Sequence, residues 1–231
     1  MSEVSQMTHD DHHRALVRRL VAEVKPTRRL WSVGVRLGLW MALEVGALAW
    51  VATHTSNDFM QKLKQPVYGI EILFFAAAAV ISAALALRSA VPGRALRASE
   101  ATLAAVLVLA GTLLVAAVEP MDTASPLGGF VRIGLPCAYS IGMRAALPLI
   151  TLWWMVRRGA SMSARLSGLL VGAAASFFSF ATLRLECPID EPLHILTWHL
   201  LPALALIALS TLGGGTWLRF RSRGRRREPA R

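Results

Sequence analysis

Residues 66–87 read PVYGIEILFFAAAAVISAALAL, twenty-two positions with a single charge, Glu71. As a helix rising 1.5 Å per residue this stretch is roughly 33 Å long, enough for a hydrocarbon core of about 30 Å. Such a segment satisfies all its backbone hydrogen bonds within itself, as lipid requires. Working outward, five more runs of this kind appear: Val33–Thr53, Glu100–Val118, Cys137–Val156, Ser163–Leu183 and Pro192–Leu212. The reading is all-α: a polytopic membrane protein with a bundle of six transmembrane helices. A cytoplasmic amphipathic arm (residues 1–32) precedes the membrane domain (33–212), and a basic tail (213–231) follows it. Little chain remains for a soluble domain.

The chain has 231 residues and a formal charge of +11. On a soluble protein that charge would suggest nucleic acid. Here its placement points elsewhere, and no direct nucleic-acid contact is expected. With the N-terminus inside, nineteen Lys and Arg fall in the arm, the second and fourth loops and the tail. Only Lys62, Lys64, Arg132 and Arg184 fall on the other side. The bias is close to five to one and predicts N-in, C-in topology. The outer loops carry Asp58, Glu119, Asp122, Glu186, Asp190 and Glu191 instead. The first thirty residues are polar, so the first span is read as an uncleaved anchor rather than a signal peptide.

In the arm, Leu16, Leu20 and Val24 recur every four residues, with Val17 and Val21 beside them. That is one apolar stripe on a basic helix, which Pro26 should end. Such a helix lies on anionic membrane lipid or docks in a partner's groove. Within the spans, Gly34 and Gly38, and again Gly168 and Gly172, have the spacing that lets helices approach closely. Pro148 and Pro202 should kink their spans.

Charges inside the membrane are costly, and are paired or functional. Glu71 and Arg144 lie roughly 7.5 and 10 Å from the same face and are expected to pair. Arg36 is close enough to the inner face to snorkel. Glu44, mid-span, has no equally obvious partner, and burial favours its uncharged form. Its alternatives are packing, proton relay and ligand contact.

The two cysteines, Cys137 and Cys187, are both placed at the outer face. Two thiols there can form a disulfide, bind a soft metal or react with an oxidant. Around the second the chain reads Cys187-Pro188-Ile189-Asp190-Glu191-Pro192-Leu193-His194. Cys187 and His194, with Cys137 or Met121, would make a thiolate–imidazole metal site. His199 reads as a residue of the span interior. No zinc-protease, paired-cysteine, nucleophile-elbow or phosphate-loop motif is present, so no enzyme and no resident cofactor are expected.

Three blocks of residues resemble the NrsF family, the membrane-bound negative regulators of sigma F. The first is Leu16-Val17 with Leu20, Lys25-Pro26, Arg29-Leu30, Arg36 and Trp40. The second is Pro136-Cys137, Leu147-Pro148 and Arg157-Arg158-Gly159-Ala160. The third and most specific is Gly168, Gly172, Cys187-Pro188, Asp190, Pro192 and Trp198-His199. Ser163 stands near where family members often carry proline, a departure confined to a loop. The resemblance implies a six-span protein of the bacterial inner membrane, an anti-sigma factor that sequesters an extracytoplasmic-function (ECF) sigma factor; the arm's stripe of Leu16, Val17, Leu20, Val21 and Val24 is then read as the docking element. It also implies release on heavy-metal or oxidative stress sensed through Cys137 and Cys187. The alternative is a small transporter or metal-handling permease with Glu44 lining a polar path.

Overall fold

The computed structural model describes residues 13–19, 21, 30–54, 64, 66–91, 93, 97–118, 127–159, 161 and 163–218. Among them there is no strand. The helices are α1 (Val33–His54), α2 (Pro66–Ser89), α3 (Ala98–Val118), α4 (Leu127–Arg157), α5 (Ala164–Glu186) and α6 (Pro192–Trp217). Five of them, α1, α2, α4, α5 and α6, are long and apolar enough to cross a membrane. In α3 the apolar stretch is shorter, Ala105–Val115, and Glu100 occupies its first turn. The expectation of six spanning helices therefore stands for five.

The largest boundary difference is in α4. It begins at Leu127 rather than Cys137 and holds both Pro136 and Pro148 in its interior. Cys137 therefore lies about 15 Å inside the helix, not at its mouth. α6 runs on to Trp217, past the predicted Leu212.

α5 is the central helix and packs on α6, α2 and α4. Two clusters fill the bundle. One joins Leu87 of α2, Ala90 just past its end, and Leu152 and Val156 of α4 to Leu170 of α5, Leu218, and Val33 and Trp40 of α1. The start of α1, the ends of α2, α4 and α6 and the start of α5 thus meet at one end, called here the arginine end after Arg88, Arg157 and Arg158. The other cluster gathers Phe75, Val115, Ile141, Phe177, Phe180, Ile195 and Cys187 and defines the sulfur end. Its aromatic centre is Phe75 against Phe180, ring centroids 4.2 Å apart.

Only one of the two predicted glycine pairs is a helix contact. A Cβ on Gly168 would stand 2.3 Å from the Ser210 carbonyl oxygen, and one on Gly172 would stand 2.7 Å from Ser210 Cβ. The backbones of α5 and α6 are therefore nearly touching, and Ser210 Oγ donates to the Gly168 carbonyl at 2.7 Å. A Cβ on Gly34 or Gly38 would meet nothing within 4 Å. Serines of α5 fasten it to its other neighbours. Ser167 Oγ lies 2.7 Å from Ser89 Oγ of α2, and Ser179 Oγ donates to the Ile141 carbonyl of α4 at 2.7 Å. Where no water competes, such bonds hold helices together.

The arm is a separate unit from Trp31 onward. Residues 13–19 are helical, and Leu16, Val17 and Val21 are exposed. Leu20 and Val24 of the predicted stripe lie outside the described residues, as does most of the basic tail.

Candidate functional site

Three elements of the sulfur end converge on one point. α4 presents a face of Phe130, Gly134, Cys137, Ile141 and Arg144, spaced alternately four and three residues apart. Cys187 follows the last turn of α5, its N–H bonded to the Leu183 carbonyl at 2.8 Å. Pro188 cannot continue the helix, so the chain turns and restarts at Pro192, in the first turn of α6 where a missing N–H costs nothing.

The first part of α6 is not a regular α-helix. Ile195–Leu200 forms a π-helical turn, closed by the Leu201 N–H on the Leu196 carbonyl. Pro202 supplies the reason: it has no N–H to offer and its ring would press on the carbonyl four residues back. Widening the turn relieves that contact. It also has a chemical consequence. In an α-helix, positions five apart point roughly 140° away from each other. In a π turn, closed by i→i+5 hydrogen bonds, that angle narrows and they come to the same side. His194 and His199 are therefore neighbours, with ring centroids 5.4 Å apart. Trp198, in the same turn, crosses α4 where Gly134 leaves room: a Cβ there would stand 2.1 Å from the indole.

The result is a cluster of Cys137, Cys187, His194 and His199 whose donor atoms all lie within 4.8 Å of one another. The two sulfurs are 3.8 Å apart, and Cys187 Sγ is 3.8 Å from His194 Nε2. Cys187, His194 and His199 are buried and Cys137 is half-buried. The sulfur separation is well beyond the roughly 2.05 Å of a disulfide. It equals the roughly 3.8 Å between two ligands bound at about 2.3 Å on one tetrahedral ion. Two thiols and two imidazoles form a soft donor set suited to zinc, cadmium or copper(I) ions. The structure brings Cys137, Cys187 and His194 together as a group, and adds His199, which sequence reasoning had left in the span interior. Met121 lies outside the described residues.

The predicted pairing of Glu71 with Arg144 is not what forms. Glu71 is bound by Arg184, whose Nε reaches both carboxylate oxygens at 3.1 Å and whose Nη2 reaches Oε2 at 3.0 Å. Arg184 Nη1 donates to Asp190 at 3.0 Å, and its guanidinium lies over the Tyr68 ring. Arg144 instead forms a bidentate pair with Glu186. The reason is the length of α5. It runs three residues past Leu183, so Arg184 enters the α2–α5 contact fully buried, and Glu186 meets α4. Glu44 is also buried. It lines a cavity of about 330 Å³ with Tyr139, Met143, Arg144, Leu147 and Phe178.

Helices long and apolar enough to cross a membrane, packed around buried sulfur and imidazole donors, are those of a polytopic α-helical membrane protein. The NrsF family, described as negative regulator of sigma F, matches residues 20–220. The chain belongs to this family, whose partner is a sigma factor. Neither a curated protein nor a solved structure matches the chain.

Proposed function

We propose that this protein is an anti-sigma factor of the bacterial inner membrane that holds an ECF sigma factor on its arm. It releases that factor when the Cys137–Cys187–His194–His199 cluster takes up a soft metal ion. The observation that carries this reading is the convergence of four soft donors from α4, α5 and α6 within 4.8 Å. Oxidation of the two thiols is the second input, favoured by their 3.8 Å approach: a disulfide forms as two electrons and two protons pass to the oxidant.

Both chain ends on the cytoplasmic side and the cluster on the other is the topology we adopt, with α3 as the sixth crossing. Connectivity supports it. α3 starts beside the end of α2, where Arg88 approaches Glu100 at 3.8 Å, and Val115 near its far end lies in the sulfur-end cluster. Arginines concentrate at the opposite end, as the positive-inside rule requires.

The route inward follows from which helix is free to move. α5 and α6 are locked backbone to backbone and supply three donors. α4 supplies Cys137. A metal would clamp α4 onto the α5–α6 pair. Eleven residues further along α4, the Pro148 carbonyl accepts the Trp40 indole N–H of α1 at 3.3 Å. α1 is the helix into which the arm leads. Reversing a 99:1 bound population takes about 5.5 kcal/mol of differential free energy. A thiolate metal site supplies this, since structural zinc sites are worth about 10–16 kcal/mol.

Two experiments test the ends of this route. In cells challenged with cadmium, Cys137→Ser with Cys187→Ser abolishes sigma-dependent transcription while the protein stays in the membrane. Full induction in that double variant rejects the sensor. Leu16→Asp with Leu20→Asp frees the sigma factor without any stress. Retention of the sigma factor in pull-downs from that variant removes the arm as the docking element.

A further inference from the structure

α1 turns one polar stripe into the bundle. Arg36, Trp40 and Glu44 recur every four residues and are buried, while Val35, Leu39, Leu43 and Val45 beside them are exposed. The first two have partners: Arg36 Nη2 donates to the Leu87 carbonyl at 3.1 Å and the Trp40 indole to that of Pro148. Glu44 is 2% exposed, and neither of its carboxylate oxygens has a hydrogen-bond partner. The Thr151 hydroxyl stands beside it. That hydroxyl is already committed to the carbonyls of Leu147 at 2.8 Å and Pro148 at 3.2 Å.

A buried carboxyl left unsatisfied is costly, and here it faces a cavity of about 330 Å³, a volume typical of small-ligand pockets. The cavity's other charged group, Arg144, is neutralised by Glu186 through two hydrogen bonds. What remains is one acid with neither oxygen hydrogen-bonded, beside the unpartnered Nε of Arg144. The remaining wall is mostly apolar and aromatic, with Met143, Leu147, Phe178 and the Tyr139 ring, and carries besides only the hydroxyls of Ser140 and Thr182. A hard metal ion needs six or more oxygens and finds one carboxylate and three hydroxyls, of Tyr139, Ser140 and Thr182. An ammonium on a small apolar body matches each feature: its charge meets Glu44, its body the wall, and an aromatic face attracts the cation. Tyr139 and Met143 are largely exposed on the outer surface of the bundle. The cavity therefore opens sideways, toward lipid.

We propose that the Glu44 cavity is a binding site for small lipophilic amines arriving from the bilayer. The amine enters uncharged and takes the proton of the Glu44 carboxyl, so an ammonium–carboxylate pair forms inside without net charge crossing lipid. This site is independent of the sulfur cluster and of the sensing role proposed for it.

The test uses the full chain in phosphatidylcholine nanodiscs, radiolabelled 2-phenylethylamine as the probe and empty nanodiscs as the blank. Wild-type protein binds the amine saturably, and about tenfold or more tightly than 2-phenylethanol, which has the same body and no ammonium. Glu44→Gln keeps the shape and removes that preference. Met143→Trp leaves Glu44 intact but fills the cavity, and abolishes binding. Equal affinity for amine and alcohol in the wild type overturns the proposal, as does undiminished preference in a folded Glu44→Gln protein. Should Glu44→Gln not fold, unchanged amine binding by Met143→Trp overturns it equally.

Discussion

Two polar clusters lie within the sulfur end of this bundle, and they are built on opposite principles. Around Arg184, Glu71 and Asp190 meet the guanidinium at hydrogen-bonding distances of 3.0–3.1 Å. Charge answers charge, in fixed geometry. Around Cys187, the neighbouring sulfur and imidazole nitrogen each stand 3.8 Å away, too far for a strong bond. The two thiols there are weakly polar, so leaving them loosely associated costs little. The first arrangement is complete as it stands. The second has the spacing of a coordination shell. On the function proposed above, the difference separates a strut from a receptor, although both are buried and both join α5 to a neighbour.

The strut should break hardest. Arg184→Met leaves Glu71 buried with no counter-charge, and stranding one member of a buried pair costs about 3–5 kcal/mol. Thermal melting of the detergent-solubilised protein would fall by many degrees. Adding Glu71→Leu should restore most of that loss, because an apolar pair of similar volume replaces a buried ion pair at little cost. If the double variant melts as low as the single one, Arg184 acts through Asp190 or Tyr68 rather than through Glu71.

The receptor is broken differently, with affinity rather than stability as the readout. His199→Ala should lower affinity for cadmium by about 10- to 100-fold, the scale of losing one oriented partner of a metal site. Melting without metal should change much less. The thiolate-to-cadmium absorption band, titrated on the full chain, measures the former. An unchanged titration would restrict the shell to Cys137, Cys187 and His194.

This contrast also marks how far the sequence could be read. The helices were legible because lipid forces each crossing segment to satisfy its own backbone, which writes long apolar runs into the chain. Gly128, Gly129, Arg132 and Pro136 hid the first turns of α4, since each suggests a loop on local grounds, yet α4 tolerates all four. A charge closes an apolar run, which places Arg184 in a loop on sequence alone and hides it as the partner of Glu71. His199 was missed for a geometric reason: five-residue spacing to His194 has no meaning in an α-helix and acquires one only in a π turn. Pro202 was the one visible signal, and a proline alone does not announce which way the turn before it will adjust.

The contrast depends finally on α4 being the partner that yields. Two serines of α5, three residues apart, make equivalent bonds to different neighbours. Ser179 Oγ donates to the Ile141 carbonyl of α4 at 2.7 Å, and Ser176 Oγ to the Ala203 carbonyl of α6 at 3.0 Å. Either serine-to-alanine change should cost about 0.6 kcal/mol, the average for a hydrogen bond between membrane helices. Their effects on metal should differ. Ile141 is one turn from Cys137, so Ser179→Ala lets α4 drift from the other three donors and lowers cadmium affinity by about threefold, the equivalent of 0.6 kcal/mol. Ser176→Ala acts across a seam that Gly168, Gly172 and Ser210 already hold, so affinity should stay unchanged. Equal losses from both would mean that α6 moves as freely as α4, and the signal would then have no preferred route to α1.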